Sequence, residues 1–280
     1  MLVKPITLNL WQIPFILFYF IYFNFFFGVR GSNVCETVCR QTFLLRTQFP
    51  RVKHIVMDEV HNYEVPKDSV PEDLLYQQAR RLVRQHNPKQ PGYLWFFTDK
   101  CQTNHTFPMG MPDETQQKPC FRLKKVIRNS RKIFNHAKQY LTADNVGDIL
   151  EMGHDFDGES VELISYPQEG KTQLGVLKET IQDLFRNGYS PRDIAVLFKD
   201  IYSIPKDLSN RLNTSTCTAE ENSSDCLVAS TVLKYSGLER PVVVLVDVED
   251  SIPWGRKRDP FIYCAVTRAM VKLLIIRRRK

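Results

Sequence analysis

Five short segments of this 280-residue chain carry side chains suited to handling a polyphosphate. In HIVMDEVH (54–61) an apolar run ends in Asp58 and Glu59. Adjacent carboxylates at the end of a buried strand suit phosphoryl transfer. Asp58 can hold Mg²⁺ through its waters, and Glu59 can orient or activate the attacking water. In LWFFTDKCQ (94–102) a second apolar run ends in Asp99 and Gln102. A glutamine there can bind the attacking water or report the state of a γ-phosphate. LKKVIRNSRKI (123–133) offers Arg128 and Arg131, whose guanidinium forks match phosphate oxygens. KYSGLERPVVVL (234–245) puts Gly237 in a tight turn, with Glu239 just ahead of a strong strand. YCAVTRAMVKLLI (263–275) places Arg268 near the end of a helix, where an arginine can act as a finger on transition-state charge. Each segment also has an ordinary reading: a solvated strand end, a polar turn, a basic turn, or a cation favoured by the helix dipole. The recurrence of all five in one order is what points to a nucleotide site.

Residues at strand ends need a sheet to present them. VKHIVMDE (52–59), GYLWFFTD (92–99), SVELISY (160–166), DIAVLFKD (193–200) and VKLLIIR (271–277) read as strands, and 225–250 holds two more around a glycine turn. Between them PEDLLYQQARRLVRQH (71–86) has Leu74, Leu75, Ala79, Leu82 and Val83 at helical spacing, with acids early and arginines late. NSRKIFNHAKQYL (129–141), LGVLKETIQDLFRNGY (174–189) and DPFIYCAVTRA (259–269) also read as helices. Continuous Val/Ile/Leu runs alternating with helices predict an α/β, doubly wound fold with parallel strands buried on both faces. The polar, proline-containing stretch 106–119 reads as a linker between lobes, and the polar stretch 210–225 as a surface loop.

The composition is that of a globular chain: 43% hydrophobic, 25% charged, 38 Lys+Arg against 31 Asp+Glu, net charge +7. Wholesale disorder, a fibrous chain and a small disulfide-stapled fold are excluded. The charge permits nucleic-acid contact without demanding it. Seven cysteines lie scattered with no CxxC pair, which gives structural zinc little support and suits a reducing compartment. Residues 8–27, LNLWQIPFILFYFIYFNFFF, are free of charge and long enough to span a bilayer as a helix. Lys4 before and Arg30 after leave the orientation open, and Asn9, Gln12, Pro14 and Asn24 weaken the membrane reading. Three readings stand: a signal or membrane anchor, a buried or interfacial segment, or a replaced start unrelated to the body.

The ordered segments resemble the ATPase core of superfamily 1 helicases. DEVH (58–61) looks like motif II, TDKCQ (98–102) like motif III, LKKVIRNS (123–130) like motif IV, SGLE (236–239) like motif V and CAVTRA (264–269) like motif VI. More narrowly, ETVCRQTFL (36–44), VKHIVMDEVHN (52–62), LWFFTDKCQTNH (94–105), NGYSPRDIAVL (187–197) and YSGLERPVVV (235–244) are similar to the Schlafen family, in the C-terminal helicase-like region of its long members. The resemblance covers about residues 35–276. It implies a P-loop NTPase fold of two RecA-like lobes, with ATP and Mg²⁺ between them and single-stranded DNA or RNA across the top. The expected organisation is an apolar segment at 1–34, an incomplete first lobe at 35–118 and a second lobe at 119–280. The implied roles are Mg²⁺ binding for Asp58, general base for Glu59, γ-phosphate sensor for Gln102 and arginine finger for Arg268. Arg128, Gly237 and Glu239 fall on nucleotide-binding positions.

The departures matter equally. No G-x-x-x-x-G-K-[ST] occurs in these residues, so the backbone cradle, the phosphate lysine and the Mg²⁺ hydroxyl have no counterpart. The family often has DEAQ where this chain has DEVH, so His61 stands in place of a glutamine. The family's nuclease domain is not represented, and RNA cleavage is not implied. The expectations are therefore an impaired helicase-like ATPase or, alternatively, a non-enzymatic module binding nucleic acid or protein. Its expected location is nucleus or cytoplasm, with membrane association through 8–27 if that start is genuine.

Overall fold

In the computed structural model the described residues are 55–57, 59–62, 73–86, 89, 92–105, 109–112, 120–121, 123–141, 150–167, 172–221, 225–249, 252–253 and 256–279. They fall into two units. One comprises residues up to Thr98 together with Pro108–Pro112, and the other comprises Asp99–Phe107 with Asp113–Lys280.

In the first unit, β1 (Ile55–Met57) and β2 (Leu94–Phe96) pair in parallel, Ile55 opposite Leu94 and Met57 opposite Phe96. A parallel pair needs a crossover, and α1 (Leu74–His86) lies on it. Met57, Val60, Leu75 and Ala79 are buried together against Leu94, Phe96 and Met111. Two backbone bonds extend the pairing beyond the strands: Phe97 N–H to Met57 O at 2.8 Å, and Val60 N–H to Phe97 O at 2.9 Å. They fix the turn that carries Glu59.

The second unit is an α/β domain on a six-stranded, all-parallel sheet. Its strands are β5 (Glu162–Tyr166), β6 (Ile194–Phe198), β7 (Thr216–Cys217), β8 (Leu227–Thr231), β9 (Arg240–Val246) and β10 (Ala269–Arg278), in the spatial order β5-β10-β9-β6-β8-β7. Side chains alternate between the faces, so both faces must be covered. Ala195, Leu197, Val243, Leu245, Leu273 and Ile275 pack on one side with α2 (Arg131–Ala137) and α5 (Arg258–Val266). Ile194, Val196, Phe198, Val242, Val244 and Ile276 pack on the other with α3 (Gln173–Arg186) and α4 (Leu208–Leu212). Each fully buried Val, Leu or Ile contributes about 1.5–3 kcal/mol, so these two layers dominate the stability. The arrangement is compatible with a RecA-like helicase lobe. A separate two-stranded pairing joins β3 (Lys125–Val126) to β4 (Glu151–Met152).

The stretch 210–225, expected to be a surface loop, also carries regular structure. α4 ends inside it, its Leu208 and Leu212 buried, and β7 adds a short edge strand to the sheet. Cys217 and Cys226 form a disulfide across this stretch, with Cα atoms 5.9 Å apart, so the cysteines are not all independent thiols. The membrane reading of 8–27 and the expected Mg²⁺ ligand Asp58 fall outside the described residues. Among the described residues no helix is long and apolar enough to cross a membrane.

Candidate functional site

In the first unit, Glu59 follows β1 with φ +53°, a left-handed conformation that costs a non-glycine residue roughly 1–3 kcal/mol. Its Oε2 lies 3.1 Å from Nε2 of buried His61 and accepts from Asn62 Nδ2 at 3.4 Å. The histidine in the place of the family's glutamine therefore rests against the expected general base.

The second unit brings together most of the remaining candidates. Gln102 ends a single 3-10 turn, Lys100–Gln102, which Asp99 caps: Asp99 Oδ1 accepts from Cys101 N–H at 2.9 Å. Asp99 Oδ2 accepts from Gln102 Nε2 at 2.7 Å. The carboxamide is thereby oriented with its oxygen outward, and that oxygen accepts from the guanidinium of Arg268. Arg268 follows α5, is only 2% exposed, and donates its Nε–H to Cys264 O at 3.0 Å. A buried cation is costly unless its donors are met. Here the acceptors it meets are two neutral oxygens, and the carboxylate of Asp99 acts on it through a polarised amide.

The turn bearing Gln102 is laced to α5. Cys264 Sγ donates to Gln102 O at 3.3 Å, and Asn104 Nδ2 donates to Cys264 Sγ at 3.5 Å. Arg256 Nη1 donates to Asn104 Oδ1 at 3.1 Å, and Lys257 N–H to Asn104 O at 2.6 Å. Several neighbouring groups are buried. Burial, helped by the charge of Asp99, pushes the Cys101 thiol up to about 12. Burial also raises the Tyr263 hydroxyl far above its ordinary range. Burial pushes Tyr235 up to about 12 against the opposing charge of Arg240. None of these groups is poised to exchange protons near neutrality, which leaves hydrogen bonding and fixed charge as the chemistry of this cluster.

Arg128 and Glu239 meet as an ion pair with both side chains partly exposed, a pairing that contributes about 0–1 kcal/mol. Hydrogen bonds to backbone carbonyls hold both segments against Arg268. Asn129, next to Arg128, donates its side-chain amide to Thr267 O at 2.9 Å and Ala269 O at 2.6 Å. Arg240, next to Glu239, donates its N–H to Arg268 O at 3.3 Å. Gly237 has φ +79°, which glycine alone adopts without strain, and Leu238 N–H closes the turn onto Tyr235 O at 3.1 Å. Arg131, the second candidate phosphate arginine, instead contacts Asp155 Oδ1 at 3.2 Å and Asp157 Oδ1 at 3.3 Å. Gln102, Arg128, Gly237, Glu239 and Arg268 thus belong to one neighbourhood of the second unit. The sequence reading did not single out Asn129 or Asn104. The one signal for Asn129 was its place beside Arg128.

No protein-family model matches the chain. Among solved structures it is similar to the C-terminal domain of a possible DNA helicase from Lactobacillus plantarum WCFS1, with a TM-score of 0.41 and 13% sequence identity, over 54% of this chain and 86% of that one.

Proposed function

We propose that the chain is a helicase-like region of the Schlafen kind, which binds single-stranded DNA or RNA and senses a nucleoside triphosphate through Gln102 and Arg268. The observation that carries this reading is the Asp99–Gln102–Arg268 chain of hydrogen bonds. A buried guanidinium bonded to neutral oxygens fits an incoming phosphate, which would give it the anionic partner it lacks among those bonds. Arg268 would then exchange the Gln102 oxygen for a phosphate oxygen, freeing Gln102 to reorient. Arg128, paired with Glu239, would open toward the same phosphates. The helicase resemblance gives Glu59, in the first unit, the role of orienting the attacking water and Asp58 that of holding Mg²⁺. The triphosphate itself supplies the strained anhydride, and Mg²⁺ neutralises its charge.

The second reading is a non-enzymatic binding module of the nucleus or cytoplasm. It is favoured by the absence of G-x-x-x-x-G-K-[ST] from the sequence. Fluorescence anisotropy of labelled single strands, titrated with and without a Mg²⁺-bound non-hydrolysable triphosphate, separates the two. The helicase-like reading expects a salt-dependent affinity that the triphosphate changes. Salt-dependent binding indifferent to nucleotide would leave the binding module, and no strand binding at low salt would overturn both.

A further inference from the structure

Asn129 is 4% exposed and sits between Arg128 and the first turn of α2, yet its amide points away from that helix. It donates to the two carbonyls that flank Arg268, those of Thr267 and Ala269, at 2.9 and 2.6 Å. The carbonyl between them accepts Arg240 N–H at 3.3 Å, and the next one, Met270 O, accepts Ser130 N–H at 2.9 Å. Four successive carbonyls at the start of β10 are therefore satisfied, two of them by one side chain.

The ladder explains why a side chain is needed. The register between β9 and β10 shifts between Ala269 and Lys272. No residue of β10 between Ala269 and Lys272 is in register with β9, so the sheet ladder is interrupted there. Buried carbonyls left without donors are costly, and a primary amide supplies two N–H groups from one neutral nitrogen. We infer that Asn129 is a positioning residue for Arg268: by holding the backbone on both sides of it, Asn129 aims the guanidinium at Gln102. Asn129 touches no phosphate itself and acts through Arg268. The functional meaning of that placement rests on the phosphate-sensing reading above, whereas the placement itself does not.

The test measures solvent exchange of the Arg268 Nε–H by NMR in the full chain uniformly labelled with ¹⁵N. Asn129→Asp keeps the shape but removes both donors, and Asn129→Ser keeps one hydroxyl donor. Loss of these bonds should speed Arg268 Nε–H exchange by about tenfold in Asn129→Asp and by less in Asn129→Ser. The core amides of Val196 and Val244 should stay as protected as in the parent chain. Arg268 exchange that is unchanged, or that rises only in step with those core amides, overturns the inference. If Asn129→Asp does not fold, Asn129→Ser decides alone by the same criterion. In the anisotropy assay Asn129→Ser should also lose most of any triphosphate response. A full response together with faster Arg268 exchange would overturn the link between placement and sensing. A parent chain with no triphosphate response would instead overturn the phosphate-sensing reading, leaving the exchange rates to decide the positioning.

Discussion

Arg268 donates from its buried guanidinium to the side-chain oxygen of Gln102, and Gln102 donates in turn to Asp99. A charge is thus held in the interior by an amide that a carboxylate has oriented. If the pair acts as a unit, Gln102→Ala and Arg268→Ala should not be additive. A double-mutant cycle read by chemical denaturation should give a coupling of about 0.5–3 kcal/mol. Additive effects would mean that the two side chains are held independently.

Catalysis should be weak in the 280-residue chain, whose sequence offers no phosphate-binding loop. That loop supplies preorganised charge stabilisation, commonly the largest catalytic contribution. Steady-state ATP hydrolysis should therefore be negligible and insensitive to Glu59→Gln. Turnover that Glu59→Gln abolishes would contradict this expectation.

The two faces of the six-stranded sheet set the stability. Phe198 is fully buried at the end of β6, and Tyr202, four residues on, is 95% exposed. Phe198→Ala should cost about 3–5 kcal/mol, while Tyr202→Ala should stay within about 0.5 kcal/mol of the parent. Denaturant midpoints check both.

The Cys217–Cys226 disulfide closes a short loop at the β7 edge. Reducing it should destabilise the second unit by about 2–3 kcal/mol, mainly by freeing the unfolded chain. Alkylation before reduction should leave Cys217 and Cys226 unlabelled, and the denaturation midpoint should fall after a dithiol is added. An unchanged midpoint would show that the bond carries no stability.

Acid should weaken the junction of β5 and β10. Lys272 Nζ lies 2.6 Å from both Glu159 and Glu162, and Tyr189 donates to Glu159. Bonds from Lys272 and then Tyr189 hold the Glu159 carboxyl below its ordinary value of 4.5. A depressed carboxyl contributes stability that is complete above its unfolded pKa and is lost as pH falls through the folded one. The loss therefore falls below about pH 4.5. Glu159→Gln should flatten the stability curve there and leave its slope at neutral pH unchanged.

Much of the second unit was legible in the sequence. The run PVVVLV is buried on both faces, and its lack of alternation predicted a central parallel strand, which β9 is. The stretch LGVLKETIQDLFRNGY (174–189), read as a helix, likewise marked α3. Two-residue strands such as β3, β4 and β7 carry no periodic signal and exist only through their partners. The disulfide was hidden because seven cysteines leave the pairing open. Residue types at strand and helix ends pointed to Gln102, Arg128 and Arg268 as candidates. Asn129 was silent because its role depends on a register shift between strands far away in sequence.

The account turns on whether Arg268 reads a terminal phosphate. The most direct measurement is single-strand affinity by anisotropy in the presence of a Mg²⁺-bound non-hydrolysable triphosphate, then of the diphosphate, in the parent chain and in Arg268→Ala. The parent should distinguish triphosphate from diphosphate, and Arg268→Ala should bind the strand equally with either. Equal binding with both nucleotides in the parent, or discrimination that survives in Arg268→Ala, would contradict the account.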